Sequence, residues 1–256
     1  MSAPVPESPT RCYLVCSTPR SGSNLLCESL WLTGVAGRPH EHFLTKGPDG
    51  ESPADRFRRV LQQGSTANGV FGMKVMWEHV AGVVELLRGA TGTVATEPGH
   101  VLAETLPGLL FVHTLRQDPV AQAVSLAKAV QSGRWVDLEV TVEELVPWVR
   151  KMGLTIQPTE VEHARRSAAA AVPATVTYDF AQIAGFHRAV LADEQSWQRF
   201  FATAGVTPHD VSYERLAADY QGIALGVLDF LGLPHPDHRV FGLRAMRRQA
   251  DTVNLD

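Results

Sequence analysis

A chain of 256 residues, 45% hydrophobic and 20% charged, has the apolar content to bury a substantial core and lacks the bias of a disordered, fibrous or disulfide-built polypeptide. Its formal net charge of −4 and pI near 6.2 exclude an overall basic footprint for nucleic acid or an anionic membrane. An anionic ligand would have to be held by local geometry instead.

The opening residues, MSAPVPESPTR, place Pro, Ser and Glu where an export signal carries its apolar core. The longest apolar stretch, around Leu106 to Leu115, is interrupted by Pro107, Gly108 and His113 and is too short to span a bilayer. A soluble, cytoplasmic protein with no membrane partner is expected. The first predicted element is a short buried strand, Cys12 to Ser17, which turns through Thr18-Pro19-Arg20-Ser21-Gly22-Ser23 into a helix from about Asn24 to Leu32. The three cysteines, Cys12, Cys16 and Cys27, are odd in number and contain no CxxC pair, so neither a disulfide framework nor a zinc site is implied. They read as core.

A second apolar run, Val70 to Met76, precedes an amphipathic helix from about His79 to Arg88. A third, Leu109 to Leu115, precedes a helix from about Pro119 to Gln131, whose proline suits a first turn. Between Gly133 and Pro173 the periodicity weakens, and an insertion or lid region is expected at about 133–173, followed by a long helix around Asp179 to Ala204. A fourth strand near Asp210 to Tyr213 leads into a helix from Leu216 to Leu231, stopped by Gly232 and Pro234. Strands alternating with helices predict an α/β, P-loop-like fold in one domain, 1–256, with a largely parallel sheet flanked by helices.

The chemistry concentrates in Ser17-Thr18-Pro19-Arg20-Ser21-Gly22-Ser23-Asn24. Where a buried strand turns into a helix, successive N–H groups and the positive end of the helix dipole form a cradle for phosphate oxygens. Ser21 and Ser23 add hydroxyls and Arg20 a fixed charge. The GxxxxGK[ST] spacing of a Walker loop is missing, and an ordinary βα loop is the plain alternative. Arg116 ends the third strand and Ser125 lies in the next helix; both can turn toward one anionic group at the carboxyl edge of the sheet, although Arg116 alone reads equally as a surface charge.

The loop SerThrProArgSerGlySerAsnLeuLeu resembles the 5′-phosphosulfate loop of sulfotransferases that use 3′-phosphoadenosine 5′-phosphosulfate (PAPS), and Arg116 with Ser125 resembles their 3′-phosphate site. The segments ThrGlyValAlaGlyArgProHisGluHisPhe, GlyValPheGlyMetLysValMetTrp, GlnAlaValSer with AlaValGln, and ArgGlnAlaAsp are similar to those of the mycobacterial-type trehalose sulfotransferases. The resemblance runs from about Tyr13 to Asp251 and is poor over 45–68 and 136–179. It implies the sulfotransferase fold, PAPS as cofactor without metal, a small-molecule hydroxyl acceptor such as a sugar, and a homodimer. It assigns Arg20, Ser21, Gly22, Ser23, Asn24, Arg116 and Ser125 to the nucleotide, with Tyr213 at the adenine and Arg248 closing over it.

Glu41 occupies the position of the family's general base, and an attacking alcohol does need a group to take its proton. Away from the resemblance Glu41 reads as a solvated loop carboxylate. Lys74 reads either as a strand-end surface lysine or, with Arg20, as a cation that stabilises charge on the bridging oxygen. His40 and His42 flank Glu41, but neighbours one apart on an extended segment point to opposite sides, which is poor chelating geometry. The resemblance leads one to expect a Gln and an aromatic at those two positions. Two other readings remain: a P-loop-like phosphotransferase, disfavoured by the missing GK[ST], and a non-catalytic nucleotide-binding module, disfavoured by the presence of Glu41 and Lys74.

Overall fold

Three apolar runs and one short segment form the strands Arg11–Ser17 (β1), Val70–Met76 (β2), Leu110–Leu115 (β3) and His209–Ser212 (β4), which pair in the order β2-β1-β3-β4, all parallel. The computed structural model describes residues 8–135 and 176–236. They belong to two units, Met1–Gln117 with Ala189–Pro236, and Asp118–Arg188 with Asp237–Asp256.

The first unit holds the sheet and the helices Ser23–Leu32 (α1), Pro53–Gly64 (α2), Val80–Thr91 (α3) and Pro98–Thr105 (α4). The described part of the second unit is built on Pro119–Ser132 (α5), in which the Asp118 carboxylate accepts the Ala121 N–H at 2.8 Å and Pro119 occupies the first turn, as its fixed φ favours. The long helix Phe180–Ala204 (α6) contributes to the first unit from Ala189 onward, where Tyr213–Ala218 (α7) and Tyr220–Phe230 (α8) also lie.

Strands of a parallel sheet are covered on both faces and therefore read as continuous apolar runs, and in β1 every residue from Cys12 to Ser17 is buried. On one face Cys12, Leu14 and Cys16 join Phe71, Met73, Val75 and Phe111 beneath α3, α4 and the Trp197, Phe200 and Phe201 side of α6. The cysteines are core, as expected: all three are free and buried, and burial pushes the thiols of Cys12 and Cys27 up to about 12. The opposite face carries Tyr13 and Val15 beside Gly72 and Lys74. A Cβ on Gly72 would lie 2.6 Å from the Tyr13 ring, and the Tyr13 hydroxyl donates to Ala36 O at 2.6 Å.

The four expected strands are present, shifted by at most a residue or two. The helix expected from His79 starts at Val80, after a 3-10 turn over Trp77–His79. The helix expected over Leu216 to Leu231 is two helices instead. Asp219 leaves the helical region at φ −135°, ψ 73°, and its carboxylate accepts the Gly222 N–H at 2.8 Å, capping α8. A side chain that caps a new helix overrides the apolar periodicity running through it. Helix α2, unanticipated, starts on the same device: Ser52 accepts the Asp55 N–H at 3.1 Å with Pro53 behind it. Most of the expected insertion, and Arg248, lie outside the described residues.

From β1 the chain crosses to β2 on one side, whereas β3 and β4 lie on the other, so the strand order reverses between β1 and β3. Ser17 stands level with both Met76 and Thr114, and the loop leaving β1 opens at that crevice, where sheets of this kind bind ligands. Among the described residues, no helix is long and apolar enough to cross a membrane.

Candidate functional site

The loop after β1 is a turn closed by the Ser21 N–H on Thr18 O at 3.3 Å, with Pro19 at its second position and Arg20 at φ 66° in its third. That third position ordinarily takes Gly or Asn, because a Cβ is crowded there; an arginine held in the left-handed region marks a site where local strain is tolerated for its side chain. Gly22 follows at φ 87° as the N-cap of α1 and makes no side-chain cap, and the first turn of α1 contains no acidic residue. The first N–H groups of that helix thus face the crevice with the positive end of the dipole behind them. Ser23 opens α1 and is buried. Ser21 is also buried, and its hydroxyl is bonded to the Thr114 hydroxyl at 2.8 Å. Both the N–H and the hydroxyl of Ser21 are thus engaged within the protein.

Arg116 leaves β3 directly opposite this loop. Its Cζ lies 4.6 Å from the centroid of the Tyr213 ring, a cation–π distance, and its Nε is a buried donor without a hydrogen-bond partner. Tyr213, expected at a strand end, is the first residue of α7. A Cβ on Gly22 would come 2.8 Å from Tyr213 Cδ2: the loop passes so close to this ring that only glycine fits. Arg20 belongs to the same cluster, since its pKa is lowered by burial and then by the neighbouring charge of Arg116, against a smaller opposing effect of Tyr213. Arg116 thus keeps a buried N–H donor without an acceptor, close enough to Arg20 for the two charges to repel.

The segment carrying Glu41 is braced from several sides. Gly37, at φ 67°, passes so near β2 that a Cβ would lie 2.7 Å from Gly72 N. The Lys74 N–H donates to His40 O at 3.1 Å, and His40 pairs with Met73 as an isolated parallel bridge. Helix α2 holds the far side: Arg56 donates to Phe43 O, and Arg59 donates to Thr45 O at 3.2 Å while gripping Glu51 at 2.8 and 2.9 Å. His42 is buried with Nε2 2.7 Å from Arg38 O, and burial, only partly opposed by that contact, drops its pKa to about 4. Its ring is a neutral staple committed to the backbone, and is thereby a poor base or ligand. Among the described residues no cluster of His, Cys, Asp and Glu suited to a metal ion forms.

Within this frame Lys74 is 4% exposed. Its Nζ is 3.0 Å from Glu41 Oε2 and donates to Asn24 Oδ1 at 2.6 Å. The fold thus gathers the expected residues into two neighbouring groups in the first unit: Arg20, Ser21, Gly22 and Ser23 with Arg116 and Tyr213, and Asn24, Lys74 and Glu41. Ser125 lies half-buried on α5 of the second unit. The sequence reading missed Thr114, which anchors Ser21, and the α2 arginines that brace the Glu41 segment; neither carries a local signature, because both act through contacts between residues distant in the chain.

The family model described as Stf0 sulphotransferase matches residues 12–52, 48–144 and 154–256. The chain belongs to this sulfotransferase family. Two curated relatives are similar over nearly the whole length. The trehalose 2-sulfotransferase of Mycobacterium tuberculosis (strain ATCC 35801 / TMC 107 / Erdman) is 29% identical over 277 residues, covering 94% of this chain and 90% of the relative. That of Mycolicibacterium smegmatis (strain ATCC 700084 / mc(2)155) is 29% identical over 275 residues, covering 93% and 90%. A solved sulfotransferase domain from the Synechococcus PCC 7002 olefin synthase is 18% identical, with a TM-score of 0.34, over 98% of this chain and 84% of that one.

A sulfotransferase moves a sulfuryl group, an anionic electrophile, onto a nucleophile. The arrangement has chemistry suited to such a transfer: N–H groups at a helix start with guanidinium charge and, next to them, a carboxylate paired with an ammonium. Fixed cations and backbone dipoles of this kind stabilise charge that develops in transfer.

Proposed function

We propose that this enzyme transfers the sulfuryl group of PAPS to a hydroxyl of a small acceptor by in-line displacement, with Glu41 as general base. The observation that carries the reading is the contact of Lys74 with both Glu41 and Asn24 beside the anion cradle. It supports a site in which a base and a cation stand together at the mouth of a phosphate-binding loop. Arg20, the N–H groups of Gly22 and Ser23, and Arg116 fit the anionic groups of the donor, which supplies the activated sulfuryl group. Tyr213 offers its ring to the adenine. Ser125 and Arg248 are assigned to the 3′-phosphate and to closure over the nucleotide by family likeness. Glu41 takes the proton of the acceptor hydroxyl, while Lys74 and Arg20 offset charge on the oxygen that leaves. The trehalose 2-sulfotransferase relatives support a sugar hydroxyl as acceptor.

The test has two arms. The product nucleotide 3′-phosphoadenosine 5′-phosphate should raise the melting temperature, because a ligand that binds only the native state stabilises it by about 2.7 kcal/mol at a hundredfold excess over Kd. ATP, without the 3′-phosphate, should do far less; equal stabilisation by both removes PAPS as donor. With labelled PAPS, trehalose and then other small hydroxyl compounds should accept label, and the absence of transfer to any hydroxyl would leave a nucleotide-binding module.

A further inference from the structure

A buried ammonium has to find acceptors for its protons, because desolvation without them costs several kcal/mol. Lys74 finds one on each side of the site: Asn24 Oδ1 at 2.6 Å, from the first turn of α1, and Glu41 Oε2 at 3.0 Å, from the segment after α1. The buried Cys27, also on α1, lies close enough to feel both charges. One lysine therefore bridges the helix that ends the anion loop and the segment that carries the carboxylate.

The two acceptors differ in kind. Glu41 neutralises the ammonium; Asn24 orients it and leaves its charge intact. A cation meant to offset charge on a reacting oxygen needs an anchor of the second kind, since a second carboxylate would cancel what the lysine supplies. The Oδ1 of Asn24 is the atom committed to Lys74.

We propose that Asn24 is a positioning residue that, together with Glu41, holds the Lys74 ammonium at the mouth of the anion loop without adding a second neutralising charge. This rests on the reading of Glu41 and Lys74 given above. Asn24 then contributes to the rate through Lys74, not to nucleotide affinity.

Two variants decide the matter. Asn24→Leu keeps the bulk and removes the acceptor; Asn24→Asp keeps the acceptor and adds charge. The Lys74 ammonium is followed by nitrogen-15 NMR in the unliganded protein, and kcat is measured alongside the Kd of 3′-phosphoadenosine 5′-phosphate. In Asn24→Leu the ammonium protons should exchange at least about tenfold faster and kcat should fall by about tenfold or more, the worth of a hydrogen bond to a charged group, with Kd unchanged. In Asn24→Asp the ammonium should stay protected while kcat still falls. Unchanged exchange in Asn24→Leu, or loss of nucleotide affinity with kcat intact, overturns the proposal. Should Asn24→Leu fail to fold, wild-type kcat in Asn24→Asp overturns it equally. The ammonium signal needs no turnover, so a fully active Glu41→Gln would sink the base reading while leaving Asn24's hold on Lys74 measurable.

Discussion

His113 within β3 and Arg116 at its exit are both largely withdrawn from water, yet their surroundings differ. His113 lies between two carboxylates, with Nδ1 3.1 Å from Asp210 and Nε2 3.2 Å from Glu194, the latter a charge contact and not an aligned hydrogen bond. Burial pushes its pKa down, but Glu194 and then Asp210 outweigh that, and the net direction is up. Arg116 instead stacks on Tyr213, crowds Arg20 and leaves Nε without an acceptor. The first has a carboxylate beside each ring nitrogen; the second has a donor left over, which under the proposed function an anion from outside would take up. Lys74 stands between these cases, partnered by Glu41 and Asn24 but beside the incomplete cluster. The difference teaches that a buried cation flanked by carboxylates is accounted for by the fold, whereas one left with an unbonded donor is the place to look for a ligand.

The largest effect expected from breaking this contrast is at Glu41. Glu41→Gln keeps the shape but cannot accept the proton, so kcat should drop about a hundredfold to ten-thousandfold. Nucleotide affinity, measured in parallel by calorimetry, should not change. A rise in KM with kcat preserved would instead make Glu41 an orienting group.

Next in size is Arg116→Ala, which removes the guanidinium whose Nε lacks an acceptor. It should weaken binding of 3′-phosphoadenosine 5′-phosphate by about 1.5 to 3 kcal/mol, as for a charge-assisted hydrogen bond. An unchanged Kd would mean that this guanidinium serves the fold, as His113 does.

Gly22→Ala sharpens the contrast without touching charge. The left-handed backbone alone costs about 1–2 kcal/mol, and the new methyl would press on Tyr213 at 2.8 Å. Urea unfolding should show that loss, with nucleotide affinity falling as the loop shifts. A variant as stable as wild type would mean that the loop relaxes freely.

The smallest effect belongs to His113 and concerns pH. Its folded-state value lies above the ordinary 6.5, so the protonated imidazole stabilises the fold fully below pH 6.5, and that contribution fades as the pH rises through the folded-state value. Stability curves of wild type and His113→Gln should therefore converge toward alkaline pH and separate in acid. Parallel curves would show that the histidine contributes by packing alone.

Much of this protein is legible in the order of its residues. Continuous apolar runs at 12–17, 70–76 and 109–115, each followed by a helical period, suffice for a parallel sheet, because only strands buried on both faces can be apolar throughout. ThrProArgSerGlySer suffices to locate the first strand-to-helix turn, because the turn chemistry of Pro and Gly is local. Local capping already lay beyond the periodicity: the Asp219 carboxylate splits the helix expected over Leu216 to Leu231. What only the tertiary structure decided is which charges meet. Arg116 stacks on the Tyr213 ring, Ser21 spends its hydroxyl on Thr114, His42 is consumed by Arg38 O, and Lys74 joins Asn24 to Glu41. The first two of those pairings link residues 93 positions apart and more, and a charge is partnered or left without an acceptor according to distances that no local pattern of residues encodes.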